Sequence, residues 1–156
     1  MCYSVAYLEK KARKLAERYK DFLPEAWSDK QMALVLPHYY FVSGFSHPLL
    51  PVLRQGTIEL MQWGLIPFWT KTGEQALTIR TQTLNARGES AFEKPSFRQA
   101  IRKQRGILPV SGFFEWRSMD HGKQPYFIFP KNQELFSLGC VWDEWAHPQT
   151  GEIMRS

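Results

Sequence analysis

The segment Ile107-Leu108-Pro109-Val110-Ser111-Gly112-Phe113-Phe114-Glu115-Trp116 reads as two short strands, residues 107–110 and 112–117, with one residue between them. Branched and aromatic side chains fill both halves, and Gly112 punctuates them. A parallel strand pair needs a crossover of a dozen or more residues, so a link this short points to antiparallel pairing. Outward from this segment the same texture recurs at residues 126–129 and 135–141 downstream, and at 57–63, 39–42, 32–36 and 3–8 upstream. His47-Pro48 and Pro51 predict a turn-laden approach to the 57–63 strand, and Gly64-Leu65-Ile66-Pro67 predicts a bend after it. Leu8, Ala12, Leu15, Ala16, Tyr19 and Phe22 recur at helical spacing and predict an amphipathic helix ended by Pro24. A second helix is predicted from Pro95, burying Phe97, Ala100 and Ile101 and ending at Gly106, with Arg102, Lys103 and Arg105 near its C-terminal dipole. Residues 143–150 read as a turn, after which a new strand starts and is interrupted. The expectation is one α+β domain over residues 1–156, mostly short antiparallel strands flanked by a few helices and C-terminally incomplete.

The bulk properties agree with one domain: 156 residues with 44% hydrophobic side chains can bury a core, and the 10 Gly and 10 Pro are scattered among turns. The chain carries no apolar signal segment and no run long enough to span a bilayer, so a cytoplasmic protein without membrane contact is expected. Cys2 and Cys140 are too few for a cysteine-based zinc site, and each thiol is read singly. No metal or cofactor is expected. A net charge of +5 suits a polyanionic partner, and six Trp, six Tyr and eleven Phe supply stacking surfaces for unpaired bases, though most belong to the core of so small a domain.

Cys2 directly follows the initiator Met1, and a small second side chain is what methionine aminopeptidase accepts. The exposed N-terminal cysteine would offer an α-amine of pKa about 8 and a thiol of about 8.5, two nucleophiles usable near neutral pH. Together they capture an aldehyde twice, first as a Schiff base and then, by attack of the sulfur, as a thiazolidine ring. Taken alone, Cys2 reads better as a small hydrophobe that stands there by accident of position.

Four segments in order change that weighting: Met1-Cys2, Met61-Gln62-Trp63-Gly64-Leu65-Ile66-Pro67-Phe68-Trp69, Leu84-Asn85-Ala86-Arg87-Gly88-Glu89-Ser90, and the segment from Ile107 to Trp116. Together with Gln124-Pro125-Tyr126-Phe127-Ile128 and Leu138-Gly139-Cys140-Val141-Trp142, the set resembles the SRAP family, SOS-response-associated peptidase-like proteins that shield abasic sites. The resemblance implies a curved sheet or partial barrel. It also implies an abasic-site sensor that binds single-stranded DNA and cross-links through Cys2, in the bacterial nucleoid, acting as a monomer in the DNA damage response. It makes Cys2 the nucleophile, Asn85 the group orienting the sugar, Glu115 the proton-transfer residue and Arg87 a phosphate contact. A glutamate whose pKa is raised by apolar neighbours can both accept and return a proton, and Phe113, Phe114 and Trp116 are such neighbours.

Trp63, Trp69 and Trp116 are candidates to stack on bases next to the lesion, and Arg98, with Arg102, Lys103 and Arg105, either lines a DNA path or solvates a helix face. The chain departs from the family in two places. The His-x-Arg-Met-Pro motif is absent, and His38, His47, His121 and His147 have no matching context. Tyr3-Ser4 stands where the family has Gly-Arg, which removes one expected DNA-contacting arginine. Two other readings remain open: a peptidase in which Cys2 and Glu115 process Met1, and a DNA-binding chain without catalysis.

Overall fold

In a computed structural model, residues 3–8, 12–22, 36–131 and 135–156 are described. Strands β1 (Ser4–Tyr7), β2 (Tyr39–Ser43), β6 (Gly112–Met119) and β7 (Gly122–Ile128) form one sheet in the order β2-β1-β6-β7. Strands β3 (Leu49–Arg54), β4 (Thr57–Gln62), β5 (Arg105–Val110) and β8 (Phe136–Val141) form a second, in the order β4-β3-β5-β8, and β9 (Glu144–Ala146) pairs with β10 (Ile153–Arg155). Every strand pairing among the described residues is antiparallel. The α+β class expected above is the class observed, with the strands divided over two open sheets and a hairpin.

The one-residue link predicted at Ser111 is where the chain passes from one sheet to the other. On its near side Val110 pairs with Phe136 in the second sheet, and on its far side Gly112 pairs with Ala6 in the first. Ser111 is buried at this corner: its N–H donates to the Ala6 carbonyl at 3.0 Å and its hydroxyl accepts the Leu8 N–H at 3.0 Å. Both backbone groups that the switch would otherwise orphan are satisfied. Val5, Val42, Leu50 and Val110 fill the space between the sheets, with Trp63, Phe113 and Phe136 packed against them.

Helix α1 (Ala12–Arg18) is shorter than the predicted amphipathic helix and continues as a 3-10 turn over Lys20–Phe22. Leu15 and Tyr19 enter a core cluster with Tyr7, Leu36, Leu53, Ile58 and Leu135, as the periodicity predicts. Phe22 does not, because the tighter 3-10 turn rotates it off the apolar face, where it is 66% exposed. The predicted helix end at Pro24 and all but the last residue of the 32–36 strand lie outside the described residues.

Four further expectations are corrected. Pro51 lies within β3, a strand between two others, because β5 pairs with β3 only at Leu53↔Ile107 and asks no N–H of residue 51. Helix α2 (Gly73–Gln82) was not foreseen: it buries only Ala76 and so shows no apolar stripe. Its start is marked by Thr72, whose hydroxyl accepts the Gln75 N–H at 3.1 Å, while the Gln75 carboxamide accepts the Lys71 N–H at 2.9 Å. The helix predicted from Pro95 is confined to α3 (Ala100–Lys103), preceded by turns, and Gly106 lies in β5 rather than ending a helix. A Cβ at Gly106 would come within 2.8 Å of Val52 and 2.9 Å of the Leu53 carbonyl, so glycine lets β3 and β5 approach. The stretch 143–150 is not simply a turn, because β9 begins at Glu144 and the hairpin is pinned inward. Buried Trp145 donates its indole N–H to the Thr70 carbonyl at 2.7 Å, and buried Asp143 accepts the Phe68 and Glu144 N–H groups at 2.9 Å each.

Candidate functional site

Two concavities flank β1, and the sequence-predicted residues are divided between them. Ser4 lines an open hollow of about 560 Å³ and the neighbouring Val5 lines a deeper cavity of about 410 Å³, since adjacent strand residues face opposite ways. The hollow holds Glu115 and Trp116 together with Tyr3, Phe41, Ser43, Phe45 and Lys123. The register explains why: β1 pairs Ser4 with Phe114, which places Glu115 one step beyond that pair, beside the start of the strand that follows Cys2 by two residues. Cys2 itself lies outside the described residues. Glu115 is half-buried and stands opposite Tyr126 in the β6–β7 hairpin.

The deeper cavity holds Asn85 and Trp63, between β3, β4, β5 and β8 on one side and the 83–101 segment on the other. Trp63 donates its indole N–H to the Leu84 carbonyl at 2.7 Å, which fixes the backbone next to Asn85. The Trp63 ring also lies under Gly44, where a Cβ would approach it to 3.0 Å, so one indole links the wall of the cavity to the rim of the hollow. Two buried polar atoms belong to residues of the cavity wall, Gln62 Oε1 and Trp142 Nε1, and have no hydrogen-bond partner among the described residues. Cys140 lines the same cavity, and burial pushes its thiol up to about 12, a backbone hydrogen bond at Gly106 offsetting only part of the shift. It is therefore protonated and a poor nucleophile at neutral pH.

Arg87 is exposed two residues beyond Asn85, and its carbonyl accepts the N–H groups of Ser90 and Ala91 to close a turn. Trp69, 38% exposed, and Arg98, exposed in the turns before α3, line neither concavity. Two of the histidines serve the backbone. His47 Nδ1 lies 2.8 Å from the Trp63 carbonyl, and His147 Nδ1 accepts the N–H groups of Gln149 and Thr150 at 3.2 and 3.3 Å. Among the described residues no three His, Cys, Asp or Glu side chains cluster as metal ligands would. Sequence reasoning passed over Lys123, Phe41 and Phe45, which reach the hollow only through strand pairing. The one sequence signal was Tyr3, standing where an arginine-bearing pair was expected.

The model of the family described as SOS response associated peptidase (SRAP) matches residues 1–156. The chain belongs to the SRAP family. Among similar proteins, the Abasic site processing protein YoqW of Bacillus subtilis is 33% identical over 108 residues, 67% of this chain and 46% of that protein. The chicken (Gallus gallus) Abasic site processing protein HMCES is 31% identical over 111 residues, 59% of this chain and 33% of the relative. This SRAP chain thus matches about half or less of the length of these relatives. Of solved structures, one from Bacteroides thetaiotaomicron superposes with a TM-score of 0.83 at 38% identity, covering 99% of this chain and 65% of the other. One from Bordetella bronchiseptica, at 21% identity and a TM-score of 0.73 over 99% of this chain and 69% of its own, shares the fold. Among the described residues of the SRAP chain, no helix is long and apolar enough to cross a membrane.

Proposed function

We propose that this SRAP chain processes abasic sites, recognising the lesion in single-stranded DNA and linking to it covalently through Cys2 once Met1 is removed. The observation that carries the reading is the position of Glu115, half-buried on β6 beside the start of β1, in a family whose similar members are named for abasic site processing.

The ring-opened deoxyribose presents an aldehyde. The neutral α-amine of Cys2 adds to its carbon, and Glu115 accepts the proton that the new C–N bond releases. Returning that proton to the oxygen gives the carbinolamine, and a second transfer through Glu115, from the nitrogen to the hydroxyl, expels water and leaves an imine. The Cys2 thiolate then attacks the imine carbon while the nitrogen takes up a proton, closing a five-membered thiazolidine. Nothing is oxidised or reduced, and no metal or cofactor is required. Asn85 orients the sugar from the neighbouring cavity, where Gln62 and Trp142 offer further hydrogen bonds to hydroxyl groups. Arg87 takes a phosphate, for which its forked guanidinium is suited.

The test is a Cys2→Ala variant shown by intact mass to have lost Met1. It is expected to keep its affinity for undamaged single strands and to form no heat-stable adduct with an abasic oligonucleotide, while a borohydride-trappable imine persists through the α-amine. A heat-stable adduct with that variant would remove Cys2 from its role.

A further inference from the structure

Resting on the reading above, we propose that Arg80, on helix α2, takes a DNA phosphate adjoining the lesion, so that two arginines, one before and one after Asn85 in the chain, hold the two phosphates of the abasic nucleotide.

Helix α2 faces inward through Ala76, which packs with Ile66 and Trp145. Four residues on, half-buried Arg80 lies on the same face of the helix. Three further, buried Thr83 ends the stripe, its hydroxyl donating to the Leu65 carbonyl at 2.7 Å. An apolar side chain would suit the place between Ala76 and Thr83, yet the sequence puts a guanidinium there. Its Nε is buried and has no hydrogen-bond partner, and among the described residues it is the one cationic atom in that condition. Nor does the guanidinium join any of the ion pairs seen among them. The negative end of the helix dipole accounts for a cation in the last turn, but not for an N–H that is turned away from water without an acceptor. A buried donor left unmatched is costly, the more so on a charged group, and an anionic oxygen removes that cost.

The end of α2 is also held close to Asn85. A Cβ at Gly64 would come within 2.7 Å of the Arg80 carbonyl and 2.8 Å of His47 Nδ1, so the last turn of the helix lies against Gly64, a wall residue of the cavity that holds Asn85. Trp63, next to Gly64, donates to the Leu84 carbonyl. These two contacts set Arg80 and Asn85 against the same short stretch of chain. The abasic nucleotide keeps a phosphate on each side of its sugar, and Arg87 is assigned one of them. A guanidinium fork matches the oxygens of the other, which a point charge does less well. Because a phosphate carries no base information, Arg80 adds grip on the lesion without restricting the sequence around it.

The experiment compares adduct formation at sub-saturating protein, using protein shown by mass to begin at Cys2. The abasic oligonucleotides carry ordinary phosphates or a neutral methylphosphonate on the 5′ or the 3′ side of the lesion. Arg80→Met keeps the stem of the side chain and removes its charge. It is expected to slow the adduct at least about tenfold on the ordinary strand, the worth of a charge-assisted hydrogen bond. A methylphosphonate on one side should then cost this variant little more, while one on the other side still slows it; Arg87→Ala should show the opposite pattern. Binding of undamaged single strands by Arg80→Met should lose about one phosphate contact, a change of roughly 0.7 in the salt slope. The thermal midpoint should hold or rise, because the unmatched donor is gone. A lowered midpoint with an unchanged salt slope would overturn the proposal, as would losses from Arg80→Met and the methylphosphonate that simply multiply on both sides. No adduct between wild-type protein and any of the strands would instead bring down the cross-linking reading, and the salt slope on undamaged strands would still decide whether Arg80 takes a phosphate.

Discussion

The two four-stranded sheets have the same antiparallel ladder and meet at Ser111, yet they end differently. In the β4-β3-β5-β8 sheet the free corner is tied down by charge: Glu59 bridges Arg54 at 2.7 Å and Arg155 at 2.8 Å, and Arg155 reaches Glu144 on the hairpin at 2.8 Å. The Arg54 guanidinium lies 4.2 Å from the centre of the Trp142 ring, covering it. In the β2-β1-β6-β7 sheet the four residues of β1 are buried, whereas all seven of β7 are exposed and an aromatic series runs from Phe41 through Phe114 and Phe127 to Phe129. One sheet spends its side chains on holding the domain together. The other leaves Glu115 and a set of exposed rings facing solvent, so on the function proposed above changes in the two should separate stability from chemistry.

On the proposed reading the largest effect expected is that of Cys2→Ala, loss of the heat-stable adduct with an unchanged denaturation midpoint. In the second sheet Leu53→Ala, in the cluster with Tyr7 and Leu15, should cost about 2–5 kcal/mol in urea unfolding. Where this variant remains folded, its cross-linking rate should match wild type; a proportional loss of rate would mean that the two sheets are not separable. Glu115→Gln should slow cross-linking about a hundredfold with little change in stability or DNA affinity. Wild-type rates for that variant from pH 5 to 8 would remove Glu115 from proton transfer.

Gly112→Ala tests the corner itself, because its Cβ would collide with the Phe127 ring and meet the Ile128 carbonyl at 2.7 Å. The strain should destabilise by about 1–3 kcal/mol and, by shifting β7 against β6, slow the adduct as well. The smallest effect belongs to Arg155→Ala on the rim of the second sheet, at most about 1 kcal/mol and fading with added salt. The hydrogen bond that Arg155 donates to Glu144 and the charge of Glu59 raise the Arg155 pKa, but its charge is already complete at any working pH. A loss that salt leaves unchanged would mean that packing rather than charge holds the hairpin.

How much of this was legible in the sequence depends on how local each signal is. Alternation and Gly/Pro punctuation are local, and they located β1, β2, β4, β5, β6 and β8, as well as the burial of Leu15, Tyr19, Phe97 and Ala100. The rule that proline opposes central strands failed at Pro51 because it presumes a full ladder on both sides, and β3 has one only toward β4. Helix α2 escaped because its evidence is a cap at Thr72 and not a stripe. For the site, Glu115 and Trp116 were legible as a motif and share one hollow. Asn85, named in the same family pattern, lines the other concavity across β1. Lys123 and Phe45 could not be found by pattern, since only the pairing of β6 with β7 and of β1 with β2 brings them beside Glu115.

The burial of β1 between β2 and β6 also has a meaning in time. Its partners at Gly112–Phe114 lie more than a hundred residues downstream. At roughly 5–20 residues per second of synthesis, they emerge on the order of ten seconds after the amino terminus. Until then β1 lacks the neighbour that completes its ladder, and the start of the chain stays open to an aminopeptidase working at the ribosome exit. The long reach of this one pairing would therefore order two events, clipping of Met1 first and closure of the sheet second. If Cys2 reacts as the chain terminus, as proposed above, it would gain its exposure before the fold that uses it has formed.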